Sequence, residues 1–147
     1  MKDILHIVLV HFITWKALLV EVNCQLCGPK ESYSKCTKIQ TWNEFKQQIH
    51  NSDPLKPLVF CPFTIQKEEE ASFVISKKVE AICQKEGQCV IDASQSKGSS
   101  ILKIRGSKAS IKMHGFVFEN AANVYSVIHV TFGTSMDQLF CRCLFRR

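Results

Sequence analysis

The sequence predicts a mainly β protein built as a short solenoid, with one helix at its N-terminal end. Two observations carry this prediction. From position 58 onward the chain consists of short runs of alternating apolar and polar residues separated by turns, a pattern typical of strands and too short for helices. Within these runs an apolar-x-apolar pair recurs at a spacing of about 27 residues, and stacked coils of a solenoid have such a period because one coil cannot bury its own inner face.

Composition is consistent with one folded domain. The 147 residues are 46% hydrophobic and 22% charged, values that exclude a disordered chain and a multispanning membrane protein. Six Gly and four Pro exclude a collagen-like or low-complexity chain.

The first segment has the features of an export signal. Lys2 precedes an apolar run over 4–15, which is short for a bilayer span of roughly 20 residues. We expect a signal peptide over 1–22, with the cut before Asn23. An uncleaved signal anchor is the alternative, although Lys16 is a costly residue inside such a span. The rest of the chain is expected to be secreted or extracellular, and to contact a membrane only if the signal is uncleaved.

The eight cysteines predict disulfides. In an exported chain an even set of this density favours bridges over metal ligands. A zinc site at Cys24, Cys27 and Cys36 lacks a fourth ligand at a suitable spacing, so neither a metal nor a cofactor is expected. Cys83 and Cys89 enclose a polar turn, which predicts a local bridge. A buried free thiol at Cys89 is the alternative. The other pairings stay open.

One helix is predicted, within a Cys-rich segment over 23–57. Thr41 and Glu44 fit a capping box at its start, and the turn residues 51–54 end it. Its apolar face consists of Trp42, Phe45 and Ile49.

Nine β-rich runs follow, each bounded by turn residues. They cover 58–64, 71–75, 78–82, 89–92, 101–105, 110–114, 116–119, 127–131 and 139–145.

The repeat defines two inward-facing columns of side chains. The pairs of the first column begin at positions 61, 89, 116 and 143, with steps of 28, 27 and 27 residues. Those of the second begin at positions 102 and 128, a similar step of 26 residues. The first column contains Cys61/Phe63, Cys89/Ile91, Phe116/Phe118 and Cys143/Phe145, and the second contains Leu102/Ile104 and Ile128/Val130.

Three segments of the chain carry a family resemblance. Residues 60–65, 83–92 and 111–120 resemble coils of the right-handed parallel β-helix, or pectin lyase-like, superfamily, and the similarity is closest to its small exported members without assigned chemistry. The resemblance covers 41–147. It implies a right-handed parallel β-helix over 58–147, with about three to four coils and an N-terminal capping helix. Proteins with this fold have many different functions, so the fold alone does not predict the function of this chain.

The resemblance includes enzymes, but their motifs are missing. The chain has no aspartate cluster of the kind that holds calcium in the lyases, and Met113-His114-Gly115 is a superficial echo of the galacturonase motif. Asp92 and Glu119 are weak catalytic candidates. Their expected positions on successive coils approach the separation of about 5 to 5.5 Å that retaining glycosidases use. Both also end strands at polar turns, which favours a structural role. A polysaccharide-cleaving enzyme, either a lyase or a glycoside hydrolase, complete or truncated, is the alternative to a non-catalytic module.

The leading prediction is a non-catalytic, exported β-helix module of unassigned activity at the cell surface or in the matrix. A basic surface makes acidic polysaccharide its candidate ligand. The chain carries a net charge of +6, which outside the cell favours acidic glycans over nucleic acid. Plain solubility is the alternative. The expected ligand-binding residues share the outer surface of one coil, with the last of them one coil later. They are Lys103, Arg105, Lys112, His114 and His129.

The C-terminal end is expected to be unfinished. The sequence stops two residues after Phe145, which the repeat places where another coil would stack. Three explanations stay open: a fragment of a longer solenoid, end-to-end self-association of two copies, or a frayed last strand. Arg142, Arg146 and Arg147 would oppose runaway pairing of identical edges.

Overall fold

The computed structural model describes residues 32–68, 72–96, 100–121, 124, 126–131 and 139–146. The expected signal over 1–22 lies outside these residues. Within the described ranges, no helix is both long and apolar enough to cross a membrane.

Helix α1 spans Trp42–Asn51 and begins with the predicted capping box. The Thr41 hydroxyl accepts a hydrogen bond from the backbone N–H of Glu44 at 3.1 Å, and the Glu44 carboxylate accepts one from the backbone N–H of Thr41 at 3.3 Å. At the other end, the Lys77 amine donates to the carbonyl oxygen of His50 at 2.6 Å. This lysine satisfies a helix-terminal carbonyl and complements the negative end of the helix dipole.

Strands make up most of the rest of the described chain. The predicted runs 58–64 and 139–145 each contain two strands, which are separated at Pro62 and at Arg142, a residue with φ 52°. The strands are β1 Leu58–Phe60, β2 Phe63–Gln66, β3 Phe73–Ile75, β4 Lys78–Cys83, β5 Cys89–Asp92, β6 Leu102–Ile104, β7 Ser110–His114, β8 Phe116–Glu119, β9 Ile128–Val130, β10 Leu139–Cys141 and β11 Leu144–Phe145.

The strands form three parallel sheets. Sheet A has the order β1-β4-β7-β10, sheet B the order β2-β5-β8-β11, and sheet C the order β3-β6-β9. The chain contributes one strand to sheet A, one to sheet B and one to sheet C in turn. Each strand pairs in parallel with the preceding strand of the same sheet. The fold is therefore mainly β, with three parallel sheets and one short helix, and is compatible with a parallel β-helix.

Strand register confirms most of the predicted columns. In sheet B, Cys89 pairs with Phe116, and Phe118 pairs with Phe145. In sheet C, Leu102 pairs with Ile128. Each of these pairs joins the two positions that the repeat predicted to stack.

The predicted position of the first pair in the sheet B column is wrong by two residues. Cys89 pairs with Phe63, not with Cys61, and Ile91 pairs with Ile65. Pro62 has no backbone N–H to contribute to a ladder, so strand β2 begins after it.

The core lies between the sheets and beneath α1. At the N-terminal end, aromatic rings from the helix and the first strands pack against one another. The ring of Phe116 lies 6.2 Å from that of Phe63 and 6.5 Å from that of Phe45 on the helix, measured between centroids. Phe45 also packs 5.4 Å from Phe60 of the first strand. Burying each of these side chains contributes about 1.5 to 3 kcal/mol, so the helix is anchored by packing against the first coil.

Candidate functional site

The two candidate carboxylates are neighbours on the outer side of sheet B. Asp92 of β5 pairs with Glu119 of β8 in register, as the repeat predicted. One coil further on, Arg146 donates from its guanidinium to the Glu119 carboxylate at 2.8 Å. The resulting ladder of polar side chains crosses three successive strands of the sheet.

Asp92 is held in its charged form. Burial raises its pKa, but hydrogen bonds from Asn120 and Ser94 outweigh that effect and leave the pKa below the usual value. The Asn120 amide donates to Asp92 at 3.0 Å, and the Ser94 backbone N–H donates at 2.9 Å. Asn120 has φ 56°, a left-handed conformation that asparagine tolerates better than most residues.

This arrangement does not favour glycosidase chemistry. Such catalysis requires one carboxyl group that stays protonated near neutral pH, which demands a raised pKa. The pKa of Asp92 is lowered, and Glu119 is ion-paired with Arg146. The hydrogen bonds of Asp92 and Glu119 connect neighbouring coils, and the lowered pKa of Asp92 does not suit a general acid.

The structure divides the predicted basic face between two sheets. Lys103, Arg105 and His129 lie in or next to strands of sheet C, whereas Lys112 and His114 lie in β7 of sheet A. Lys103 and Arg105 therefore do not share one sheet with Lys112 and His114. Between β6 and β7 the chain turns from one sheet to the next, and Gly106 in that turn has φ 115°, a conformation that glycine adopts readily.

The basic residues of sheet A are balanced by an acid. Lys112 pairs in register with Glu80 of β4. The Nε2 atom of His114 lies 3.5 Å from the Glu80 carboxylate and has no hydrogen-bond partner among the described residues. An anionic ligand would meet the charge of Glu80 here, so this surface is a poor site for it.

Sheet C carries positive charge, and its described strands contain no acid. Lys103 of β6 pairs in register with His129 of β9, and Arg105 directly follows β6. The next turn adds Lys108, which the sequence reasoning did not select. Lys108 could have been found from its position in the turn that contains Gly106, which leads from sheet C to sheet A. We call Lys103, Arg105, Lys108 and His129 the cationic face.

The strands of sheet C and the described turns that follow β3 and β6 contain no acid. The strands of sheet C have the sequences FVI, LKI and IHV, and the turns 76–77 and 105–109 lead from them to sheet A. None of these described residues is Asp or Glu. Arg105, Lys108 and His129 are exposed and Lys103 is half-buried, so their charges reach solvent.

The cysteines form bridges of the kind found in oxidising compartments. Cys83 bonds to Cys89, as predicted, and Cys36 bonds to Cys61, a pairing that the sequence left open. Cys89 is also fully buried, so its place in the core column and its bridge coexist. These two disulfides indicate an extracellular setting.

The remaining described cysteines lie close together in the last coil. Cys141 is disulfide-bonded, and Cys143 is the free thiol of the described chain. Burial raises the pKa of Cys143 to about 11, which makes it a weak nucleophile. In the part of the chain that the structure describes, no three His, Cys, Asp or Glu side chains are grouped to hold a metal.

Comparison with known proteins returns no relative. The chain matches no protein-family model, no curated protein and no solved structure at a significant level.

Proposed function

We propose that this chain is an exported, non-catalytic module that binds acidic polysaccharide through the cationic face, on a right-handed parallel β-helix. The resemblance of residues 60–65, 83–92 and 111–120 to β-helix coils supports the fold, together with the three parallel sheets visited in a constant order. The carrying observation for the function is the concentration of cations in strands β6 and β9 and in the turn after β6, where no described residue is Asp or Glu.

The spacing of these cations suits an extended polymer. Paired residues on adjacent strands, such as Lys103 and His129, are separated by about 4.8 Å. Residues two apart on a strand are separated by about 6.7 Å, and Arg105 directly follows the strand that carries Lys103. Anionic groups repeated along a sugar chain can therefore contact several cations at once. Arg105 can grip a sulfate or carboxylate with two parallel hydrogen bonds.

Two triple variants of equal charge test the proposal. In the first, Lys103, Arg105 and Lys108 are replaced by Ser. In the matched control, the exposed lysines Lys35, Lys38 and Lys85 are replaced by Ser. Elution from immobilised heparin and polygalacturonate is compared with that of the wild type at fixed pH.

The first variant should elute at a clearly lower salt concentration than the control, because it alone removes the clustered charge. Both variants should unfold at nearly the wild-type temperature, since exposed charges contribute little to folding. An equal shift in both variants would mean that net charge, not the cationic face, causes retention. Release of reducing ends from either polysaccharide would contradict the non-catalytic part of the proposal.

A further inference from the structure

His129 makes the charge of the cationic face dependent on pH. We propose that binding of a sulfated polysaccharide at this face is coupled to uptake of a proton at His129, so that affinity rises as pH falls through the range in which histidine titrates. This inference rests on the proposed function and concerns the regulation of the same site.

The position of His129 supports the coupling. It lies in β9, directly beside Lys103 of β6, and its side chain is exposed. The charged residue that pairs with it in the described part of sheet C is Lys103, and Arg105 directly follows β6; both side chains are basic. β3, on the far side of β6, places the uncharged Val74 beside Lys103. A protonated His129 therefore extends a patch of charge that is already positive.

The sign of the effect follows from linkage. An anionic group of the ligand within a few ångströms of the imidazole favours its charged form. Because the ligand favours protonation, protonation must favour the ligand by the same factor. A lower pH favours the protonated imidazole, so the stronger binding belongs to the lower pH.

The other described histidines provide internal controls. His50 lies near the C-terminal end of α1. His114 lies on sheet A beside Glu80, 3.5 Å from its carboxylate. Neither belongs to the cationic face, so neither should report binding there. Both can be replaced by Gln without changing that face.

The experiment measures heparin affinity by titration calorimetry at about pH 5.5 and about pH 8, on either side of the ordinary histidine pKa, at constant ionic strength. Heparin sulfates keep their charge over this range, so a pH effect must arise in the protein. Wild type should bind about fivefold more tightly at the lower pH, the factor expected from one added cation near an anionic surface. Near pH 6.5, titrations in buffers of different ionisation enthalpy should show proton uptake.

Variants assign the effect to one residue. His129→Gln should bind at both pH values with the weaker affinity, and His129→Lys should bind at both with the tighter one. His50→Gln and His114→Gln should keep the wild-type pH difference. Equal thermal stability of all four variants confirms that each remains folded.

The outcomes separate the two proposals. If wild type binds equally at both pH values, or if His129→Gln keeps the pH difference, the coupling to His129 is wrong and the cationic face remains a binding site. If wild type binds heparin at neither pH, the proposed function fails, and the coupling fails with it.

Discussion

A Cβ atom added to Gly115 would lie 3.1 Å from the Cα atom of Glu86. The corner between β7 and β8 thus packs directly against the turn between β4 and β5, one coil earlier. The contact is reinforced by a hydrogen bond from the backbone N–H of Gly87 to the carbonyl oxygen of Gly115 at 2.8 Å. Gly115 also has φ 73°. Both the close approach and the backbone conformation therefore require glycine.

Gly115→Ala should lower the free energy of unfolding by about 2 to 3 kcal/mol, because it adds a clash with backbone to the strain of a left-handed alanine. Gly87→Ala is the matched control, since Gly87 has φ 77° but nothing within 4 Å of its Cβ position. It should cost about 1 kcal/mol. Urea denaturation measures both. Equal losses would show that the corner is not tightly packed.

The Cys83–Cys89 bridge should add stability by restricting the unfolded chain. The two residues are six apart in sequence, so replacing both with Ala should cost about 2 kcal/mol from loop entropy. The Cys36–Cys61 pair closes a loop with a separation of 25, and its removal should cost about 1 kcal/mol more. Denaturant unfolding compares the variants, and mass spectrometry of unreduced peptides checks each bridge. A Cys83 that alkylates without reduction would contradict the pairing.

The hydrogen bonds to Asp92 predict a loss of stability in acid. Because the folded-state pKa lies below the unfolded one, this group stabilises the fold above about pH 4, the unfolded value, and the contribution disappears as pH falls through the folded pKa. The difference in unfolding free energy between wild type and Asp92→Asn should therefore shrink from neutral pH to pH 3 or below. Asn120→Ala should raise the pKa of Asp92, which carboxylate NMR would detect. A pH-independent difference would mean that the hydrogen bonds do not favour the charged form.

A substitution in the last described coil should lower the free energy of unfolding less than one in the coil before it. The ring of Phe145 stacks on that of Phe118 at a centroid distance of 5.3 Å. Phe118 is fully buried, whereas Phe145 is 51% exposed. Phe118→Ala should cost about 3 to 5 kcal/mol, and Phe145→Ala roughly half as much, because half of its surface is already in contact with water.

Comparison of Phe145→Ala with the wild type also tests the expected end-to-end association. If two copies stack through the exposed ring of Phe145, light scattering after size-exclusion chromatography should show a mass that rises with concentration in wild type. That rise should be absent in Phe145→Ala. A constant monomer mass in both proteins would exclude self-association through this coil.

Local patterns predicted the parts of the fold that depend on near neighbours in sequence. The capping box of α1 needs only Thr41 and Glu44, so a four-residue motif was enough to predict it. The turn enclosed by Cys83 and Cys89 is equally local. The period of the columns was visible because each coil presents the same inward alternation of apolar residues, as the pairing of Cys89 with Phe116 confirms.

The candidate site was harder to predict, because the basic residues that the sequence grouped together lie on two different sheets. Lys103 and Lys112 are near each other in the sequence. The turn at Gly106 lies between them, and there the chain passes from sheet C to sheet A. Lys112 then meets Glu80, which lies one coil earlier in the chain and pairs with it on the neighbouring strand. No alternation pattern within one strand encodes that partner.

The sequence by itself determined the strand content, the period, the capped helix and the local disulfide, since each follows from residues within a few positions or from a repeated spacing. The tertiary structure decided the register of the first coil, the Cys36–Cys61 bridge and the division of the basic residues into a balanced and an unbalanced surface. Those features depend on the length of each turn and on the residue at which the backbone changes direction. A shift of register at Pro62, or a change of sheet at Gly106, alters which side chains meet without changing the pattern along either strand.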